Sequence, residues 1–214
     1  MWDSGTVIMI AQGSLETLYM TLLSTFAAYL IGLPLGVLLV TSQSNGILPM
    51  PKLNKVLNAI VNVVRSVPFL ILLVAVIPFT RFVIGTTIGS TATVIPLVIA
   101  SAPFIARLVE SSILDVDKGV VEAAVSMGAS PFQIIYKVMI PESVPSLIMG
   151  AAIATTTILS YSAMAGFVGG GGLGDIAIRY GYYRYENVIM IVTVVLLVII
   201  VQVTQEIGTK FAEK

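Results

Sequence analysis

The chain contains neither cysteine nor histidine. That double absence removes thiol nucleophiles, disulfides, imidazole bases and the usual zinc and haem ligands together, which argues against most enzyme mechanisms. Charge is scarce as well. Only 10% of the 214 residues are Asp, Glu, Lys or Arg, against roughly 25% in soluble proteins. The 11 basic residues balance 11 acidic ones, which leaves no field to gather a phosphate backbone and excludes nucleic acid as a partner. No G-x-x-x-x-G-K-[ST] pattern occurs, so this polypeptide has no P-loop with which to hydrolyse ATP.

What fills the chain instead is hydrocarbon: 57% of its residues are hydrophobic, and the mean hydropathy is +1.02. A helix needs about 20 apolar residues to cross a hydrocarbon core of about 30 Å. Five stretches meet that length, at about 15–41, 56–79, 87–110, 142–166 and 186–207. They predict an all-α integral membrane protein with one transmembrane domain over residues 1–214. The opening "MWDSG" lacks the positive region of a cleaved signal, so the first span is expected to be retained. Lys and Arg are held on the cytoplasmic side of membranes. With the N-terminus outside, the inner segments hold Lys52, Lys55, Arg107, Lys118, Lys137, Lys210 and Lys214, and the outer ones only Arg81, Arg179 and Arg184. That asymmetry predicts N-out, C-in. Prolines fall in or beside the spans at 34, 68, 78, 96, 103 and 145. A membrane bundle can re-satisfy the carbonyls they free, so they predict kinks, with or without a path opened between kinked helices.

One stretch is too polar to cross. In "VVEAAVSMGASPFQIIYKVMIP", residues 120–141, Asp117 can cap a helix carrying Val121, Ala124, Val125 and Gly128 along one side. Gly128 can supply the left-handed end. Ser130, Pro131 and Gln133 then form a start signal, with Ser as N-cap, Pro at the first helical position and Gln closing a capping box. The second helix carries Phe132, Ile135, Tyr136 and Met139 on one side and is expected to end at Pro141. An interfacial hairpin would want several basic residues flanking its apolar face, and only Lys118 and Lys137 serve. Docking into a groove of another protein accounts better for Ala123 and Ala124, which permit close backbone approach.

These residues also carry a resemblance. Glu122-Ala123-Ala124, Gly128 after three more residues, and Val138-Met139-Ile140-Pro141 after a further nine look like the coupling motif of bacterial ABC-importer permeases. Val138 and Ile140 are conservative departures from that motif. "RSVPFLILL" (65–73), "IPFTRFVIGT" (77–86), "APFIARLVE" (102–110) and "SYSAMAGFVGGGGLG" (160–174) are similar to segments of the methionine-uptake permeases. The resemblance implies a homodimeric permease in the bacterial inner membrane, importing methionine in its L and possibly its D form. It also implies two separate ATPase subunits that hold ATP and Mg, with no cofactor in this chain, and a binding lipoprotein on the outer face. Glu122, Ala123, Ala124, Gly128, Phe132 and Pro141 would contact the ATPase. Tyr161, Ser162 and Met164 would line an outer gate, where ordinary helix packing is the simpler reading. Arg65, inside the second run, would cost about 2.5 to 3.5 kcal/mol at mid-bilayer, and so either snorkels to the interface or faces the bundle interior.

Other readings are weaker. Gly169, Gly171 and Gly174 satisfy G-x-G-x-x-G, but no strand and no βαβ unit surround them, so they read as a flexible outer loop rather than a dinucleotide site. An ABC permease for another small polar solute would share the coupling motif. An ion-coupled carrier would be expected to show intramembrane carboxylates or inverted repeats, and away from their ends the spans show neither.

Overall fold

The computed structural model describes residues 4–212. Their elements, in chain order, are helices α1 (Ser4–Thr41), α2 (Pro51–Ser66), α3 (Phe69–Ile84), α4 (Ser90–Leu114), α5 (Lys118–Ser126), α6 (Pro131–Ile134), α7 (Ile140–Ala165), α8 (Gly172–Ile176) and α9 (Asn187–Ala212). A π-helical turn at Ile135–Met139 joins α6 to α7, a 3-10 turn at Gly166–Val168 follows α7, and a second π-helical turn at Ala177–Tyr182 follows α8. No strand occurs among the described residues. Among the described residues four helical stretches are long and apolar enough to cross a membrane, and there are five if the bent pair α2 and α3 counts as one. Lys214, counted above among the inner basic residues, lies outside the described residues.

Three differences from expectation appear, two of them with a local cause in a proline. The run expected to span 56–79 is two helices, because Pro68 cannot donate a backbone hydrogen bond and holds Val67 out of the helical region. The helix of the first span begins at Ser4 rather than near residue 15. The second helix of the 117–141 stretch does not stop at Pro141. It widens into the π-helical turn at Ile135–Met139, where the N–H of Ile140 reaches back to the carbonyl of Ile135, and then runs on as α7. Pro141 has no N–H for the carbonyl four residues back, and its ring crowds that carbonyl; the wider turn relieves both problems.

The chain forms two compact units. One comprises the described residues up to Ala27, with Val67–Ala100 and Thr155–Glu206. Its glycine loop is packed rather than flexible. The Thr17 hydroxyl accepts from the N–H of Leu173 at 2.9 Å, and a Glu16 carboxylate oxygen accepts from the N–H of Gly172 at 2.8 Å. The Thr93 hydroxyl donates to the carbonyls of Gly89 and Gly170. Leu173 is fully buried. Gly171 and Gly172 hold φ of 80° and 74°, the left-handed region that only glycine enters without strain. The glycines therefore build a fixed corner.

The other unit comprises Ala28–Ser66, Ser101–Ala154 and the described residues from Ile207. Here Gly32 and Gly36 of α1 lie against α4, where an added Cβ would stand 2.8 Å from the carbonyl oxygen of Ala102 and 2.7 Å from that of Ala106. Small residues four apart let two helix backbones approach this closely in lipid, where van der Waals packing rather than hydrophobic expulsion drives association. Leu39 of α1, Val61 of α2 and Ala106 of α4 form a buried cluster beside the contact.

Candidate functional site: an elbow at residues 117–141

The sequence dictates the elbow step by step. The Asp117 carboxylate accepts from the N–H of Gly119 at 2.6 Å and opens α5. Gly128 closes it with φ of 79°. The N–H of Gly128 donates to Val125 at 2.9 Å and that of Ala129 to Ala124 at 3.1 Å, the paired bonds of a Schellman ending. Ser130 then makes the reciprocal capping box with Gln133, and Pro131 takes the first helical position. Two helices thus meet at a corner fixed by hydrogen bonds at each end.

Burial divides the elbow into two sides. Ala124, Ile134 and Met139 are turned inward and buried. Val120, Val125, Met127, Phe132 and Tyr136 are exposed, with Met127 at 82% and Phe132 at 74%. The Phe132 and Tyr136 rings lie nearly parallel with centroids 6.2 Å apart. This splits the sets grouped by periodicity alone: Ala124 separates from Val125, and Met139 from Phe132 and Tyr136. Glu122, Ala123, Gly128 and Pro141 are also exposed, so of the six residues singled out for coupling only Ala124 is interior. A row of large exposed apolar groups on a rigid polar-capped frame is the form of a helix that inserts into a groove.

The other singled-out residues lie elsewhere. Arg65 is exposed in the last turn of α2, where its charge complements the negative end of the helix dipole. Ser162 is buried, and its hydroxyl donates to the Leu159 carbonyl at 2.7 Å, so it does not line an open surface of this chain. Tyr161 is partly exposed and stacks on Phe69, with ring centroids 4.4 Å apart and an interplanar angle of 3°. Met164 is exposed. The stack was not legible beforehand, since no local pattern ties residue 69 to residue 161.

In the packed corner, Asp175 pairs with Arg179 at 2.8 Å. Burial raises its carboxyl above the usual range, Arg179 partly offsets the effect, and the nearby Glu16 charge adds to it.

Comparison with known proteins bears on this geometry. Residues 32–207 match a family described as binding-protein-dependent transport system inner membrane component. The chain is 52% identical over 207 residues to a probable D-methionine transport system permease protein of Vibrio cholerae serotype O1, covering 97% of this chain and 92% of that one. It is 48% identical over 158 residues to the D-methionine transport system permease protein of Escherichia coli K12, covering 74% and 73%. Among solved structures, a chain of the MetNI methionine ABC transporter in inward-facing conformations superposes with a TM-score of 0.97 at 45% identity, covering 99% of this chain and 98% of that one.

Proposed function

Because the chain belongs to the family of inner membrane components of binding-protein-dependent transport systems, we propose that it is the permease subunit of an ATP-driven methionine importer. Two copies form the path between them, with N-termini outside and C-termini inside. Residues 117–141 of each copy sit in a groove of one of two ATPase subunits, which carry ATP and Mg. A binding lipoprotein delivers methionine, in the L or D form, to the outer face. The observation that carries this reading is the elbow itself: a hydrogen-bonded corner that presents Val125, Met127, Phe132 and Tyr136 outward.

The mechanism follows from rigidity. Closure of the ATPase pair on ATP shifts the two grooves. The elbow continues through Ile135–Met139 into α7 without a break in the helix, so displacement at α5 and α6 reaches the membrane-spanning α7. Tyr161 and Met164 near the end of α7 gate the path, and Phe69 holds the Tyr161 ring in place.

Uptake of L- and D-methionine into proteoliposomes holding the chain with its ATPase and binding protein tests the proposal. It predicts uptake that needs ATP and survives collapse of ion gradients. Uptake abolished by collapsing the gradients but indifferent to ATP would overturn it in favour of a secondary carrier.

A further inference from the structure

Arg107, one of the basic residues that the charge asymmetry assigns to the inner side, stands at the centre of a hydrogen-bonded network. Its Nη2 donates to Asn58 Oδ1 at 2.7 Å and to Asn62 Oδ1 at 2.8 Å, both on α2. Its Nη1 donates to Glu110, one turn further along α4. The ladder continues along α2: Asn58 Nδ2 donates to Asn54 Oδ1 at 3.0 Å. Asn54 Nδ2 in turn donates to the Leu39 carbonyl at 2.7 Å and to Ser42 Oγ at 3.0 Å, at the end of α1. Residues 54, 58 and 62 lie four apart, on one face of α2. An unbroken polar line therefore runs from α4 across α2 to α1.

The helix ends that this line stitches together face the elbow across a void. A cavity of about 370 Å³ is lined by Val40 and Thr41 from α1, Ile113 and Leu114 from α4, and Val121 and Met139 from the elbow. α5 thus stands off from the ends of α1 and α4 over this region. Elsewhere α4 is tied to α7 by the bond from the Ser146 hydroxyl to that of Ser112, at 2.9 Å. Motion of α7 can reach α4 through that tie, and α2 meets α4 both through the apolar Val61–Ala106 packing and through this directional polar line.

We propose that Arg107 is a positioning residue for transport, the link that makes α2 move with α4 when the elbow is displaced. The chemistry suits the role. Arg107 and Glu110 are mostly shielded, with side-chain exposures of 21% and 12%. At that exposure only a few waters can replace the acceptors a departing guanidinium leaves, so parting the network costs more than breaking an open surface pair. The planar fork serves two helices at once, which a lysine ammonium cannot do with the same geometry.

This inference rests on the importer reading and is tested in the same proteoliposomes, by the ratio of methionine transported to ATP hydrolysed. Arg107→Lys and Asn58→Leu should each lower that ratio about tenfold, the effect of losing one charged hydrogen bond, while ATP hydrolysis continues. Asn58→Asp keeps an acceptor for the guanidinium and should hold the ratio near the parent's. The Arg107→Lys, Asn58→Leu double variant should be no worse than the poorer single variant, because both break one link. If transport and hydrolysis fall in step, with the ratio unchanged in both Arg107→Lys and Asn58→Leu, Arg107 only stabilises the fold and the proposal is overturned while the importer reading stands. Absence of ATP-dependent uptake by the parent chain would overturn both.

Discussion

Gly128 separates two effects that are usually mixed. Its φ of 79° lies in the left-handed region, and a Cβ built there meets no atom of the described residues, its chain neighbours aside, within 4 Å. An added Cβ therefore brings backbone strain but no collision of its own within the subunit. For an L-residue that strain is about 1–2 kcal/mol, which shifts the balance between the formed elbow and unwound alternatives by about fivefold to thirtyfold. Asparagine tolerates this conformation and should cost less. Three variants in reconstituted transporter resolve the matter. Gly128→Asn should retain most uptake, and Gly128→Ala should lose it by about the strain factor. Gly128→Leu carries the same strain as Ala, with equal thermal stability of the isolated permease, but should uncouple more severely because its side chain meets the ATPase groove. Equal uptake by the Ala and Leu variants would show that no partner surface lies against the corner. Asn behaving as badly as Ala would show that backbone strain is not the cause.

Other outcomes follow from particular contacts. Gly36→Ala should lower the melting temperature of the detergent-solubilised protein, since its Cβ would stand 2.7 Å from the Ala106 carbonyl and overpacking costs about 1–3 kcal/mol; an unchanged melt would mean that α1 and α4 separate freely. Phe132→Ala and Tyr136→Ala should each weaken assembly with the ATPase by about 2 kcal/mol, or thirtyfold, in a titration of purified subunits. Phe69→Leu removes the ring against Tyr161 and should cost about 0.5–1.5 kcal/mol beyond the area lost, read as leak of methionine through resting transporter, whereas Phe69→Tyr should restore the seal. For Asp175, burial raises the folded carboxyl above its unfolded value. Between those two values the native corner holds a proton that the unfolded chain lacks, so stability should fall as pH rises through the raised value. Asp175→Asn should flatten that part of the melting profile, and an identical pH profile in the variant would contradict the assignment.

The elbow was largely legible in sequence because its signals are local. Asp117, Gly128, Ser130, Pro131 and Gln133 each act on a backbone group within five residues, and each cap forms as the pattern requires. Pro141 misled because a proline normally ends a helix, and the compensating π-helical turn leaves no sequence trace of its own. The glycine run at 169–174 suggested looseness, since glycine permits many conformations. Glu16 and Thr17, about 156 residues away in sequence, select one of them. Gly32 and Gly36 show the spacing of a close helix crossing, but inside a long apolar run nothing local sets that spacing apart. The Phe69–Tyr161 stack and the Arg107 network are long-range, and no periodicity within one element reveals them.

The most direct test of the docked elbow uses the missing cysteine, since any introduced thiol is unique in this chain. Phe132→Cys, in membranes that also hold the ATPase, should form a crosslink to that subunit with a short bifunctional reagent. ATP should change its yield, and a membrane-impermeant maleimide applied from outside should leave it unmodified. Labelling from the outer face, or a thiol that never joins the ATPase, would contradict the account.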